Sequence, residues 1–241
     1  MELWLDEMKA TFILNFIEDD RWMYLVKGLG ITLTITSMAL LLGIAIGVVC
    51  AMIRAAHDQA GKKLRAPLGR ALLELANAVV QLYVTVVRGT PVMVQLLLGY
   101  FVIFVATTNT VVVASLVFGI NSGAYITEII RSGIMSVDRG QFEAGASLGL
   151  GYVPTMRFII IPQAFKVVLP TLANEFIALL KETAVCGYIG LTDLTRAGDI
   201  IRGGTFTPFM PLMAVALIYL TFVLLLSALF GKIEKKLRVR G

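Results

Sequence analysis

One histidine and two cysteines are all that 241 residues offer a soft metal, and only 15% of the chain is charged. Each shortage excludes something. His57 has no second imidazole with which to build a histidine metal site, and it reads as a solvated loop residue. Cys50 falls near the inner end of the first apolar stretch and Cys186 beyond the outer end of the fourth, so neither a disulfide nor a metal site follows from them. No stretch matches G-x-x-x-x-G-K-[ST], so the chain lacks the phosphate-binding loop an ATP-hydrolysing subunit would carry. The opening Met1-Glu2-Leu3-Trp4-Leu5-Asp6-Glu7 lacks the basic region and small-residue cleavage site of a secretory signal. The first apolar stretch is therefore expected to remain in the mature protein. There is no internal repeat or low-complexity tract. A charged fraction well under the roughly 25% of soluble domains argues for lipid as solvent.

What the chain has is apolar length: 58% of it is hydrophobic. A helix needs about 20 apolar residues to cross a hydrocarbon core. The stretches Gly28 to Ile53, Pro91 to Ala106, Val111 to Ile126, Ala164 to Leu180 (interrupted by Lys166 and Glu175) and Pro208 to Phe230 predict an all-α membrane protein with five crossings. The stretch from Ala71 to Val87 carries Glu74 and runs into Arg88-Gly89-Thr90-Pro91. It is expected to be an interfacial helix leading into the second crossing, with a sixth span as the alternative. Arg88 then marks the inner start of that crossing, and Pro91 suits its first turn.

Charge asymmetry sets the orientation. Fifteen of the 21 basic residues fall between Arg54 and Arg88, between Arg131 and Lys166, or from Lys232 onward. By the positive-inside rule these segments are cytoplasmic, which puts the N-terminus outside and the C-terminus inside. The tail Lys232-Ile233-Glu234-Lys235-Lys236-Leu237-Arg238-Val239-Arg240 follows a span directly, so an anionic inner membrane surface explains it better than nucleic acid does. The organisation is thus an outer amphipathic segment over residues 1–24, a membrane domain over 25–231 and a basic cytoplasmic tail over 232–241. In the first, Leu5, Met8, Phe12, Phe16 and Ile17 recur at roughly helical spacing. A frayed, lipid-touching leader is the other reading.

Residues 138–162 form a long cytoplasmic segment rich in small residues. Asp138 as N-cap with Gln141 three residues on is a capping-box variant, and Gly149, Gly151 and Pro154 supply stop signals. The spacing predicts a short helix between turns. Ala144, Gly145, Ala146 and Ser147 leave its surface nearly bare. Another protein could approach the backbone closely there, but composition fits a re-entrant helix equally well.

Glu143-Ala144-Gly145, Gly149 four residues beyond Gly145, and Ile159-Ile160-Ile161-Pro162 resemble the "EAA" signature of binding-protein-dependent ABC importer permeases. Gly145 replaces the third small residue and Ile161 the leucine. Arg88-Gly89-Thr90-Pro91 with Gln95, Gly123-Ala124-Tyr125 through Glu128, Arg131 and Gly133, and Leu169-Pro170 through Asn174-Glu175 to Lys181-Glu182-Thr183 resemble the polar amino-acid branch. The resemblance runs from Gly28 to nearly the C-terminus. It implies a five-helix type I permease in a bacterial cytoplasmic membrane. A coupling helix bearing Gln141, Glu143, Ala144, Gly145, Ser147 and Gly149, followed by Pro162, would sit in a cytoplasmic ATPase pair that holds the ATP and magnesium. It further implies a second permease, identical or not, and an extracytoplasmic amino-acid-binding protein. No cofactor of this chain's own and no nucleic acid enter the picture.

Charges inside the spans need reasons, since each costs at least about 2.5 kcal/mol near the bilayer centre. Glu175, with Asn174 beside it, lies past the middle of the fourth crossing. Its carboxylate is suited to an ammonium or cationic group of a substrate, or to Arg131, Lys166 or Lys181. Tyr125 shares a helix face with Glu128 and is expected along the same route, while Lys181, Glu182 and Thr183 form either the cavity rim or a solvated helix end. Gln95 joins this set through the resemblance. Glu128 and Arg131, three apart, read as an internal ion pair. Gly43 and Gly47 make a Gly-x-x-x-Gly pair suited to close helix packing, a pattern also frequent by chance. Two other functions would each need a pattern of their own. A channel or secondary transporter calls for inverted repeats or rings of pore charge, and an intramembrane enzyme calls for a nucleophile with its base. Neither pattern is present.

Overall fold

Hydrocarbon offers backbone groups no partner, so a chain within it must close its hydrogen bonds inside each segment. Among the described residues of the computed structural model, 2–60 and 67–239, every regular element is helical. Lys62, Lys63, Arg65 and Arg240, counted in the charge asymmetry, lie outside them. The helices are α1 (Glu2–Phe12), α2 (Trp22–Ala60), α3 (Pro67–Arg88), α4 (Val92–Leu98), α5 (Thr110–Met135), α6 (Arg139–Ser147), α7 (Tyr152–Thr155), α8 (Ile161–Glu182), α9 (Leu194–Thr205) and α10 (Phe209–Val239). A π-helical turn extends α1 over Ile13–Ile17 and α4 over Gly99–Ile103, and another, Met156–Ile160, joins α7 to α8.

Five stretches are long and apolar enough to cross a membrane: Trp22–Asp58, Pro67–Arg88, Thr110–Met135, Tyr152–Ile189 and Phe209–Lys236. The expected number stands, but the second crossing is corrected. The 22 residues of α3 span about 33 Å, whereas Val92–Ile103 covers only about 18 Å, too little to cross alone. Glu74, the charge that demoted 71–87 to an interfacial helix, is paired with Arg70 one turn earlier at 2.9 Å. That neutralises it at the helix start. The Arg88–Pro91 break falls between α3 and α4, so Arg88 ends a helix rather than beginning a crossing.

The chain forms two compact units. One holds residues 1–39, 92–118 and 177–226; the other holds 40–91, 119–176 and 227–241. In the first, α9 turns a buried face (Leu194, Ala197, Ile201) onto Leu25 of α2 and Val215 of α10. Asp193 caps α9, its carboxylate accepting from the backbone N–H of Thr195 (3.0 Å) and Arg196 (3.3 Å), while Thr32 of α2 accepts from Leu194 N–H at 3.1 Å. Gly28 permits this approach, since a methyl group on it would stand 2.7 Å from the Asp193 carbonyl oxygen. The N-terminal segment is tied down here too: buried Asn15 accepts from Thr205 (2.9 Å) and Thr207 (2.8 Å), while Leu5, Met8 and Phe12 stay exposed. Also in this unit, α4 packs on the first part of α5 through Gly99 against Val117.

In the second unit α2 and α5 meet along a close helix seam. Methyl groups on Gly43 and Gly47 would stand 3.1 Å from Ser122 Cβ and 2.7 Å from Ile126 Cβ. The Gly-x-x-x-Gly pair is therefore a real contact. α3 joins this seam along the second part of α5, with Val80 and Val84 against Ala124 and the Tyr83 hydroxyl donating to the Ile120 carbonyl at 2.5 Å. α8 closes on α5 at Gly133, which faces Val168, and on α10 through Phe176 and Phe230, whose rings meet edge to face at 6.0 Å.

Two outcomes follow. Gly47→Leu forces a side chain into the occupied Ile126 site and should lower stability by about 1–3 kcal/mol, read as a drop in the unfolding temperature of the detergent-purified protein, with Gly43→Ala milder. Burial raises the Asp193 carboxyl above the usual carboxylate range, and its backbone donors offset this only in part. A raised pKa makes stability fall as pH rises through it. Asp193→Asn keeps the cap and should flatten that part of the thermal-stability profile between acid and neutral pH.

Candidate functional site

Two groups of residues carry the chemistry, and both can be built within the second unit. The first is the segment 138–162. Asp138 caps α6 by accepting from Gly140 N–H at 2.6 Å. Gln141 does not close the capping box; its side-chain oxygen accepts from Gln163 on α8 at 3.4 Å. The helix ends in a Schellman turn, with Leu150 N–H donating to the Gly145 carbonyl (3.0 Å) and Gly149 N–H to Ala146 (3.0 Å). That turn needs a left-handed residue, and Gly149 has φ +75°. Gly145 is small for a different reason: a methyl group there would stand 2.8 Å from both Thr155 Oγ1 and Cγ2, so α6 could not lie on α7.

The seating leaves Glu143, Ala144, Ala146 and Ser147 exposed, with Leu148 at 76% and Val153 at 69% as an apolar tip. Pro162 stands in the first turn of α8 directly behind, where Ile160, Ala164, Ile134 and Ala55 form a buried cluster. α6 is exposed at Glu143, Ala144, Ala146 and Ser147, while Gly145 is buried and Phe142 packs partly buried against that cluster.

The second group lies along α5. Glu175 on α8 accepts a hydrogen bond from the buried Ser122 hydroxyl at 3.1 Å. Arg131 pairs instead with Glu128 (3.2 Å) and Asp58 (3.4 Å). The Glu128–Arg131 pair belongs to a larger lattice than expected, because Glu128 also binds Arg54, and both are largely buried, 18% and 13% exposed. The half-buried Tyr125 ring receives the Arg88 guanidinium, whose carbon lies 5.1 Å from the ring centre. Asn174 is exposed on α8.

Gln95, Lys181, Glu182 and Thr183 belong to the other unit. Lys181 is exposed at the end of α8 and Gln95 half-buried on α4. Thr183 is buried with its hydroxyl donating to the Leu180 carbonyl at 2.8 Å, so it caps the helix end rather than facing a cavity. Sequence reading passed over Ser122, Arg54 and Asp58, and it gave Arg88 the start of a crossing rather than a contact with Tyr125. The first three had a readable signal: Ser122 is one turn from Tyr125, and Arg54 and Asp58 are one turn apart on α2.

Gly149→Ala should cost about 1–2 kcal/mol in the left-handed turn and show as faster backbone hydrogen exchange at the end of α6, with the rest of the chain unchanged.

The description of a binding-protein-dependent transport system inner membrane component matches residues 68–239. An arginine transport system permease protein of Bacillus subtilis is 33% identical over 218 residues, 89% of this chain and 93% of that one. A glutamine transport system permease protein of Escherichia coli is 33% identical over 219 residues, with the same shares covered. Among solved structures, an amino acid ABC transporter crystallised with histidines superposes with a TM-score of 0.77 at 36% identity, covering 96% of this chain and 97% of its own.

Proposed function

The chain belongs to the binding-protein-dependent transport system inner membrane component family, and from that premise we propose that it is the membrane-spanning subunit of an ATP-driven importer of polar amino acids, cationic ones included. The observation that carries the mechanism is the form of the α6 segment. A capped helix, closed by Gly149 and seated on Thr155 through Gly145, presents a bare face and an apolar tip. A cytoplasmic ATPase pair binds ATP and magnesium, closes, and moves this helix. The permease then alternates between inward and outward access to a site between its spans.

In this reading Gln141, Glu143, Ala144, Gly145, Ser147, Gly149 and Pro162 transmit force. Gln141 does so through Gln163 at the start of α8. Glu175 takes a substrate's ammonium group, with Ser122 holding the carboxylate in position and Asn174 beside it. Lys181, Glu182 and Gln95 serve the extracytoplasmic side of the route. A second permease completes the pathway, and an extracytoplasmic binding protein delivers the amino acid. The N-terminus faces outward and the basic end of α10 lies on the cytoplasmic surface, as the charge asymmetry requires.

The test is reconstitution with the ATPase and the binding protein in proteoliposomes. ATP-dependent uptake of glutamine or arginine supports the reading, and uptake that proceeds without the ATPase overturns it. Glu143→Lys, on the exposed face, is expected to leave folding intact and lower ATP-driven uptake about tenfold or more, the loss expected when an interfacial charge is reversed at a cost of several kcal/mol; wild-type uptake would remove α6 from the coupling role.

A further inference from the structure

Arg88 is a cation that the ion pairs among the described residues do not account for. Arg88 ends α3 at the point where the helical ladder breaks: Gly89 N–H reaches back to the Thr85 carbonyl, the Thr90 hydroxyl to that of Val86, and Pro91 has no N–H to give. Among the described residues no carboxylate pairs with the Arg88 guanidinium, and its contact is the face of Tyr125. Tyr125 stands fifteen residues into α5 and ten before its end at Met135, about 22 Å and 15 Å along the axis. The cation is therefore held against the middle of α5, well away from both ends of that helix. Its side chain is exposed within the subunit, so it is open to a ligand.

Charges at such depth face cavities and mark substrate paths. Three residues before Tyr125, on the same face of α5, Ser122 donates to Glu175. A positive and a negative group thus stand over one helix face, one turn or about 4.5 Å apart along α5. Two features make this a complement to a zwitterion. The planar guanidinium presents paired N–H donors that match a carboxylate. Ser122 and Tyr125 each hold one charged partner, which keeps the two ends of the site distinct. We propose that Arg88 binds the α-carboxylate of the transported amino acid, opposite Glu175 at the α-ammonium. This rests on the reading of the chain as an amino-acid permease and deepens it. The backbone charges of the substrate are read here in the membrane, and the side chain is left to select among amino acids elsewhere in the site.

The experiment uses the purified permease–ATPase complex without the binding protein, titrated calorimetrically with glutamine and arginine and with their decarboxylated counterparts, 4-aminobutanamide and agmatine. Wild type should prefer each amino acid over its amine by about tenfold or more, the usual worth of a charge-assisted bidentate contact. Arg88→Gln should erase that preference by weakening the amino acids alone, Arg88→Lys should restore part of it, and Glu175→Gln should weaken amino acids and amines together. An Arg88→Gln complex that loses amino acids and amines equally, or neither, overturns the assignment: the arginine is then a strut on Tyr125 or outside the site. A parallel uptake measurement separates the two readings. Wild-type import of glutamine or arginine with an unaltered KM in Arg88→Gln removes Arg88 alone, whereas absence of any amino-acid import by the wild-type complex removes the function on which it rests.

Discussion

The seam between α2 and α5 is the contact on which the second unit depends. Side chains at positions 43 and 47 would hold the two backbones apart by the width of a methyl group or more, and glycine at both lets Ser122 and Ile126 fill that space. In lipid there is no hydrophobic gain from bringing two apolar helices together, so packing of this closeness is what remains to drive it. Once α5 is drawn in, most of its length is buried and its polar residues are committed. Asn121, Ser122 and Thr127 are buried, and Thr127 returns its hydroxyl to the Gly123 carbonyl at 2.7 Å. α5 then serves as the post on which α3 and α8 hang their functional groups. Tyr83 reaches its backbone at Ile120, Arg88 its Tyr125, and Glu175 its Ser122.

The same constraint orders the charges toward one end of the seam. Arg54, Asp58, Glu128 and Arg131 interlock between α2 and α5, two positive and two negative, so that neither arginine is left with an unmatched charge. A buried pair of this kind gains little net stability over an apolar contact, because desolvation offsets the attraction. Its value lies in register: each side chain fits only the one partner arrangement, which fixes the rotation of α2 against α5. The contrast with Arg88 is chemical. One set of charges is internally closed, and the Arg88 guanidinium meets an aromatic face.

Much of this was legible from the residues. Apolar length gives the all-helical membrane fold and the number of crossings, and the small-residue run with Gly149 marks a helix between turns at 138–162. The second crossing was misplaced because Glu74 was weighed as a lone charge, while its partner Arg70 sat one turn upstream on the same helix. Gly89 and Pro91 announced a break, but a break signals equally the start of a span or a gap between two helices. The site was harder to read, since its partners are far apart in sequence. Ser122 and Glu175 are 53 residues apart, and Arg54 and Glu128 are 74 apart, distances at which local periodicity carries no information. Asp138 was rightly read as a cap, whereas Gln141 was assigned to the box by spacing and taken instead by Gln163 across a tertiary contact.

That last substitution bears on how motion at α6 reaches a substrate. Gln163 begins α8, and Glu175 lies twelve residues further along it, about 18 Å in a continuous helix. Pro170 stands between them. Having no N–H, it removes the hydrogen bond to the Lys166 carbonyl, and its ring crowds that turn, so the helix is softest about midway between the two contacts. Ala164 and Val168 pin the first half of α8 into the unit, while Thr171 and Asn174 just beyond the proline are exposed. In the proposed coupling role, a push on α6 would reach a firmly packed helix start and flex α8 most readily at Pro170. The Ser122–Glu175 hydrogen bond lies beyond that proline from α6.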